Sequence, residues 1–222
     1  MEGDLLKTSK LVPHPRQVTD LLLVRHGQTD WNVERRIQGW RPVPLNAEGR
    51  RQVRGCATLL GQVRPVAIIS SPVARTVETA DVLKEVAGWD APVELVPGLG
   101  EFRMGDWDGV ALSELQGQPS WRDYLDNPAE TTFPSGEALV AIRARAVGAV
   151  NDLVAARAGG SLVVVSHGGI VRLLLMAAYG LPLSSYHNTH VDNASVTHIR
   201  LVPTRPARVM AVNRCAGPLN AL

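Results

Sequence analysis

Residues 21–24 (Leu-Leu-Leu-Val) and 162–165 (Leu-Val-Val-Val) are uninterrupted apolar runs of strand length, and both lead straight into a polar residue, a histidine and a glycine: Arg25-His26-Gly27 and Ser166-His167-Gly168. A strand that is apolar at every position leaves no face for water. It belongs inside a sheet covered on both sides, which for natural chains means a parallel sheet with helical crossovers. In open sheets of that kind the ligand crevice lies beyond the carboxyl ends of the strands. The pattern predicts that His26 and His167 share one crevice.

The segments around these runs fit the same plan. Asn46 stands as an N-cap ahead of a helix over 47–60, and a strand follows at 66–70. Ser71-Pro72 then reads as a cap residue with proline at the first position of a helix running to about residue 87. A short strand at 93–96 precedes a stretch, 98–109, with too many glycines and acids for regular structure. Residues 113–136 hold three prolines without clear periodicity and read as an irregular insertion near the active site with one short helix. Leu139, Ile142, Ala146, Val150 and Leu153 recur at helical spacing, a helix over 170–179 follows the second histidine, and strands at 194–202 and 208–212 close the chain. Alternating strands and helices predict a three-layer α/β/α sandwich with a mostly parallel central sheet. It is expected as a single domain over 20–222, preceded by a flexible N-terminal extension over 1–19.

Composition narrows the function. A chain of 222 residues with 20% charged residues and net charge +2 is not built as a general binder of nucleic acid or of a membrane surface. No segment reaches the ~20 apolar residues of a membrane helix, and the first 19 residues lack the apolar stretch of a secretory signal. Cys56 and Cys215, far apart in sequence, suggest neither a disulfide framework nor a cysteine zinc site, which fits a cytoplasmic setting. His187 and His190 are three apart, but sequence places no third ligand with them, so no metal is expected.

The first histidine carries the chemical signal. Arg25 and His26 set a permanent cation beside a side chain that is nucleophilic at neutral pH when unprotonated and held in one tautomer, and Gly27 next to them lets backbone approach a ligand. An anion-binding arginine there suggests a phosphorylated substrate. Arg75 falls near the first turn of its helix, where the macrodipole disfavours a cation; a bound anion would resolve the conflict, as would pairing with Glu78 or Thr79 on the same helix. Trp40, Trp107 and Trp121 read as packing or pocket-wall residues, and Trp121 and Tyr124 of the insertion as candidates to cover the site.

Arg25-His26-Gly27-Gln28-Thr29 with Trp31-Asn32 resembles the phosphohistidine signature of the histidine phosphatases, the phosphoglycerate mutase-like superfamily. Ser70-Ser71-Pro72 with Arg75 and Thr79-Ala80, the loop 101–109, Pro134-Ser135-Gly136-Glu137 and Ser166-His167-Gly168-Gly169 resemble its later motifs in order, over roughly residues 20–200. The resemblance implies that His26 takes the phosphoryl group, that Arg25, Arg75 and His167 surround its oxygens, and that Glu101 donates the proton. It further implies that Asn32, Gln38 and the Gly168 amide touch the phosphate and that neither cofactor nor metal is required. Within the acid loop, Asp106 and Asp108 compete with Glu101 for the donor role.

The loop Glu101-Phe102-Arg103-Met104-Gly105-Asp106-Trp107-Asp108-Gly109 looks like the phosphatase branch, and its acids would repel a doubly anionic substrate. The expectation is a phosphomonoesterase acting on a small phosphorylated metabolite, with a homodimer as the one assembly left open. A phosphoglycerate mutase is the alternative enzyme, and a non-catalytic phospho-ligand binder the alternative of another class.

Overall fold

The computed structural model describes residues 10–157 and 159–216. Within them β1 (Thr19–Arg25), β2 (Pro65–Ser70), β3 (Val93–Leu95), β4 (Gly160–Ser166), β5 (Val196–Leu201) and β6 (Arg208–Arg214) form one sheet in the order β3-β2-β4-β1-β5-β6. The pairings among β3, β2, β4 and β1 are parallel; β5 runs antiparallel to β1, and β6 to β5. The helices are α1 (Asp30–Val33), α2 (Ala47–Leu59), α3 (Ala74–Ala87), α4 (Leu112–Leu115), α5 (Pro119–Asp126), α6 (Leu139–Ala155) and α7 (Gly168–Tyr179). None is long and apolar enough to cross a membrane.

The continuous apolar runs are explained by what covers each face. Leu22, Val24, Val163 and Val165 pack with Val53 of α2 and Leu83 of α3, while Leu21, Leu23, Leu162 and Val164 pack with Ile142 of α6 and Leu174 of α7. Successive side chains of a strand point to opposite faces, so helices on both sides require apolar residues at every position. Each such leucine or valine contributes about 1.5–3 kcal/mol through burial. This is the expected three-layer sandwich with a mostly parallel sheet.

Register then decides where the histidines fall. β1 and β4 are central neighbours, and their last paired residues are Arg25 and Ser166. His26 and His167 therefore leave the sheet side by side, and the His26 amide donates to the Ser166 carbonyl at 2.9 Å.

Three local expectations are corrected, and one short helix is new. Ser71 does not cap α3: the N-cap is Val73, without a side-chain cap bond, and the Ser71 hydroxyl, two residues earlier, accepts from the Val73 amide at 3.3 Å and meets His167 at 2.8 Å. The loop after β1 contains α1, capped by Thr29 in a reciprocal box with Asn32. The insertion is more regular than its prolines suggest: it carries most of α4, and α5 and a 3₁₀ turn, Pro128–Glu130, each begin at a proline. The N-terminal extension is not loose over residues 10–19. Leu11 is buried in the core, Asn151 of α6 bonds the backbone of Lys10 and Val12, and Thr19 opens β1; residues 1–9 of that expected extension lie outside the described residues.

Candidate active site

Arg75 is wholly buried and organises the centre of the site. Its Nε donates to Nε2 of His26 at 3.2 Å, and its Nη2 to Nδ1 of His167 at 3.1 Å and to the Gly39 carbonyl at 2.8 Å. A guanidinium has no acceptor, so both contacted ring nitrogens must be bare. The proton of His26 then sits on Nδ1 and is donated to the Gly27 carbonyl at 2.7 Å. The proton of His167 sits on Nε2 and is donated to Ser71 Oγ. One arginine and two acceptors thereby fix both tautomers, and the rings stand 5.4 Å apart at 64°. Glu78, the helix partner that could have claimed Arg75, instead pairs with Arg50 at 2.9 Å.

The electrostatics follow from this crowding. Burial, then the Arg75 and Arg25 charges, push His26 well below the ordinary histidine range, so its Nε2 carries no proton at neutral pH. Burial, then the Arg75 charge, His26 and Arg25, push His167 well down too. Burial lowers Arg75 to about 10, which leaves it charged. None of the ion pairs among the described residues includes Arg25 or Arg75. Arg25 spends Nη1 on the Val191 carbonyl at 2.6 Å, while its Nε is buried without a partner there.

Glu101 supplies the carboxyl. Its Oε2 lies 3.9 Å from Nδ1 of His167 and its side chain is 19% exposed. Burial raises its pKa against the pull of Arg75, the Phe102 amide and Arg25. The rival acids are turned away: Asp106 is exposed and accepts from Ser135, and Asp108 accepts from the Met104 amide. Arg25, His26, Arg36, Arg75 and Glu101 all line one cavity of about 180 Å³, smaller than the ~300–1,000 Å³ usual for sites that hold drug-sized ligands. Three cations and one acid face it, so the expected repulsion of a doubly anionic substrate does not hold.

The remaining candidates divide. Asn32 and Gln38 line the cavity; Asn32 Oδ1 is occupied by Thr29 and Asn193, and Gln38 Oε1 is buried without a partner among the described residues. Gly168 opens α7 behind Arg25, where a Cβ would come 3.2 Å from the Arg25 Nε. Its neighbour Gly169 does line the cavity, and an added Cβ there would lie 2.8 Å from Glu101 Oε1 and the Phe102 ring. Gly27 serves packing rather than a ligand: a Cβ there would strike the Gly49 carbonyl of α2 at 2.6 Å. Trp121 and Tyr124 do not cover the site but join Trp107 and Phe133 in an aromatic cluster behind its wall. His187 contacts the Tyr124 carbonyl and His190 contacts Asp192, and no group of three potential metal ligands occurs among the described residues.

Sequence reading missed Asn193, which donates to the His26 carbonyl at 3.0 Å, and Arg145, which donates to the Glu101 carbonyl at 2.8 Å. Neither sits in a motif beside a histidine. Only the helical periodicity around Arg145, which placed it among apolar neighbours, hinted that its charge needed a buried partner.

Comparison with known proteins adds four likenesses. The model of the histidine phosphatase superfamily (branch 1) matches residues 21–213. A Proteus mirabilis protein named "Probable phosphoglycerate mutase GpmB" is 34% identical over 179 residues, 80% of this chain and 82% of that one. A glucosyl-3-phosphoglycerate phosphatase of Mycolicibacterium vanbaalenii is 32% identical over 182 residues, 77% of this chain and 78% of its own length. The solved structure of a mycobacterial glucosyl-3-phosphoglycerate phosphatase superposes with a TM-score of 0.78 at 29% identity, covering 89% of this chain and 99% of that one.

Proposed function

The chain belongs to the histidine phosphatase superfamily (branch 1), and from that premise we propose that it is a phosphomonoesterase working through a phosphohistidine on His26. One observation carries the reading: a buried guanidinium, Arg75, and a part-buried one, Arg25, neither in an ion pair among the described residues, line one cavity with a neutral histidine and an acid of raised pKa. Buried charge that is not paired is costly, and an arriving phosphate dianion supplies the missing partner.

In this mechanism the bare Nε2 of His26 attacks phosphorus and the ester P–O bond breaks. The leaving alkoxide takes the proton of Glu101, whose raised pKa keeps that proton available. Water then attacks the phosphohistidine, giving a proton to the Glu101 carboxylate, and inorganic phosphate leaves with His26 restored. Phosphoryl transfer is mainly positioning and charge stabilisation, which Arg25 and Arg75 supply as forks on the equatorial oxygens. Phosphate also favours protonation of His167 Nδ1, turning that nitrogen into a third donor. Asn32 Nδ2, the Gln38 amide and the Gly168 N–H complete the cradle. Cations do the work a metal would otherwise do.

The substrate is a small phosphorylated metabolite, with the cytoplasm as the proposed setting. The names of both relatives contain phosphoglycerate, and Arg36 gives the cavity wall a third cation suited to a carboxylate. That cation favours phosphoglycerate mutase as the second reading. A panel of phosphomonoesters ranked by kcat/KM, with 3-phosphoglycerate included, separates the two. Phosphate release faster than interconversion supports the phosphatase, and the reverse order overturns it. The mechanism further requires an alkali-stable, acid-labile phosphoryl label that is lost in His26→Ala.

A further inference from the structure

The acid loop is held by an arginine that never faces the cavity. Arg145 of α6 uses all five of its N–H groups. Nε and Nη2 take Glu137 in a bidentate pair at 2.9 and 3.0 Å, Nη1 takes the carbonyls of Gly98 and Gly100 at 2.9 and 2.7 Å, and Nη2 takes the carbonyl of Glu101 at 2.8 Å. From the opposite side the Trp40 indole N–H donates to the same Glu101 carbonyl at 2.6 Å. Glu137 closes the ring, because its Oε2 also accepts from the Arg103 amide at 3.0 Å and its amide donates to the Arg103 carbonyl at 2.9 Å. The turn carrying Glu137 fits flush against this loop: a Cβ on Gly136 would lie 2.3 Å from the Arg103 carbonyl.

We propose that Arg145, with Glu137 and Trp40, is a positioning device for the proton-transfer step: it pins the Glu101 backbone so that the carboxyl stays poised beside His26 and His167. The inference rests on the reading of Glu101 as general acid and base. Its physical basis is that the carboxyl reaches the site from a loop without a regular ladder of its own. A loop carbonyl caught between two donors is the shortest lever on the carboxyl four bonds away. The planar fork is what makes the device. A lysine at 145 keeps the charge but cannot span a carboxylate and three carbonyls at once.

The test compares Arg145→Lys with Glu101→Gln on phenyl phosphate, whose leaving group needs a proton, and 4-nitrophenyl phosphate, whose leaving group needs it far less. The readout is kcat/KM, which reports the transfer to His26. Arg145→Lys is expected to lose about 10²-fold on phenyl phosphate, the scale of a misplacement of about 1 Å, and at most about threefold on 4-nitrophenyl phosphate. Combined with Glu101→Gln it should add nothing further, since both remove the same step. Equal losses on the two esters, or losses that multiply in the double variant, overturn the proposal. Trp40→Phe keeps an aromatic side chain and removes the indole donor; a loss of about fivefold confined to phenyl phosphate supports the device even if Arg145→Lys fails to fold, and no selective loss counts against it. If Glu101→Gln itself spares phenyl phosphate, the general-acid reading falls and the positioning role falls with it; if Glu101→Gln is selective and Arg145→Lys is not, only the positioning role is lost.

Discussion

The guanidinium of Arg75 donates to Nε2 of His26 across 3.2 Å, occupying the lone pair proposed to attack phosphorus. A phosphate entering between them replaces the nitrogen as the acceptor of that N–H and so frees the nucleophile as it binds. The same group that holds the ring before substrate arrives would thus stabilise the phosphoryl oxygens afterwards.

Arg75 should consequently be a liability to the empty fold and an asset to the liganded one. Arg75→Met is expected to raise the denaturant midpoint in phosphate-free buffer, since it removes an unpaired buried charge of similar length. It should also abolish stabilisation by inorganic phosphate, which at a hundred times Kd gives about 2.7 kcal/mol in the unaltered protein. Arg75→Lys, losing the fork, should lower kcat/KM by about 10²- to 10³-fold. Unfolding curves with and without phosphate check the first two claims, and steady-state rates the third.

The two proposed reacting groups should fail differently. His26→Ala is expected to show no turnover and no trapped phosphoenzyme. Glu101→Ala should retain slow turnover, reduced by about 10²- to 10⁴-fold. Activity retained in His26→Ala would refute the covalent route.

Acid should weaken the fold through the buried histidines. Both are held well below their unfolded value of 6.5, so below that pH the unfolded chain binds protons that the native state refuses. Stability is then full above pH 6.5 and falls as pH drops from there toward the lower native pKa values. Urea midpoints at pH 7.5 and 5.5 measure this, and His167→Gln should show a smaller difference between them. A midpoint independent of pH over that interval would contradict the neutral, buried assignment.

Gly169→Ala should damage catalysis more than stability. The new methyl would meet Glu101 Oε1 and the Phe102 ring at 2.8 Å, and the carboxyl is the part free to move. A kcat loss of about 10²-fold is expected, the cost of a carboxyl displaced by about 1 Å. Gly180→Ala, a helix-end control where a Cβ meets nothing within 4 Å, carries the strain of a φ of +69° and should lower stability while leaving kcat near its original value.

Much of this was legible in the sequence because the signals were local. Continuous apolar runs announced buried strands, Asn46 announced its helix, and the two His-Gly endings placed the crevice. What was misread shares a cause: the residues had several local uses, and only a distant partner chose among them. Ser71 looked like a cap and is the acceptor for a histidine 96 positions away. Gly27 looked like room for a ligand and is room for α2. Three acids shared one loop, and packing left Glu101 alone facing the histidines.

By itself, then, the sequence determined the layers, the strands that end in the crevice and the residue types gathered there, because periodicity and capping are properties of neighbours along the chain. Tertiary structure alone decided the tautomers of the two histidines, the turning of Asp106 and Asp108 away from the cavity, and the hold of Arg145 on the acid loop. Those depend on hydrogen bonds of about 3 Å between residues dozens of positions apart, and on how deeply each charge is withdrawn from water.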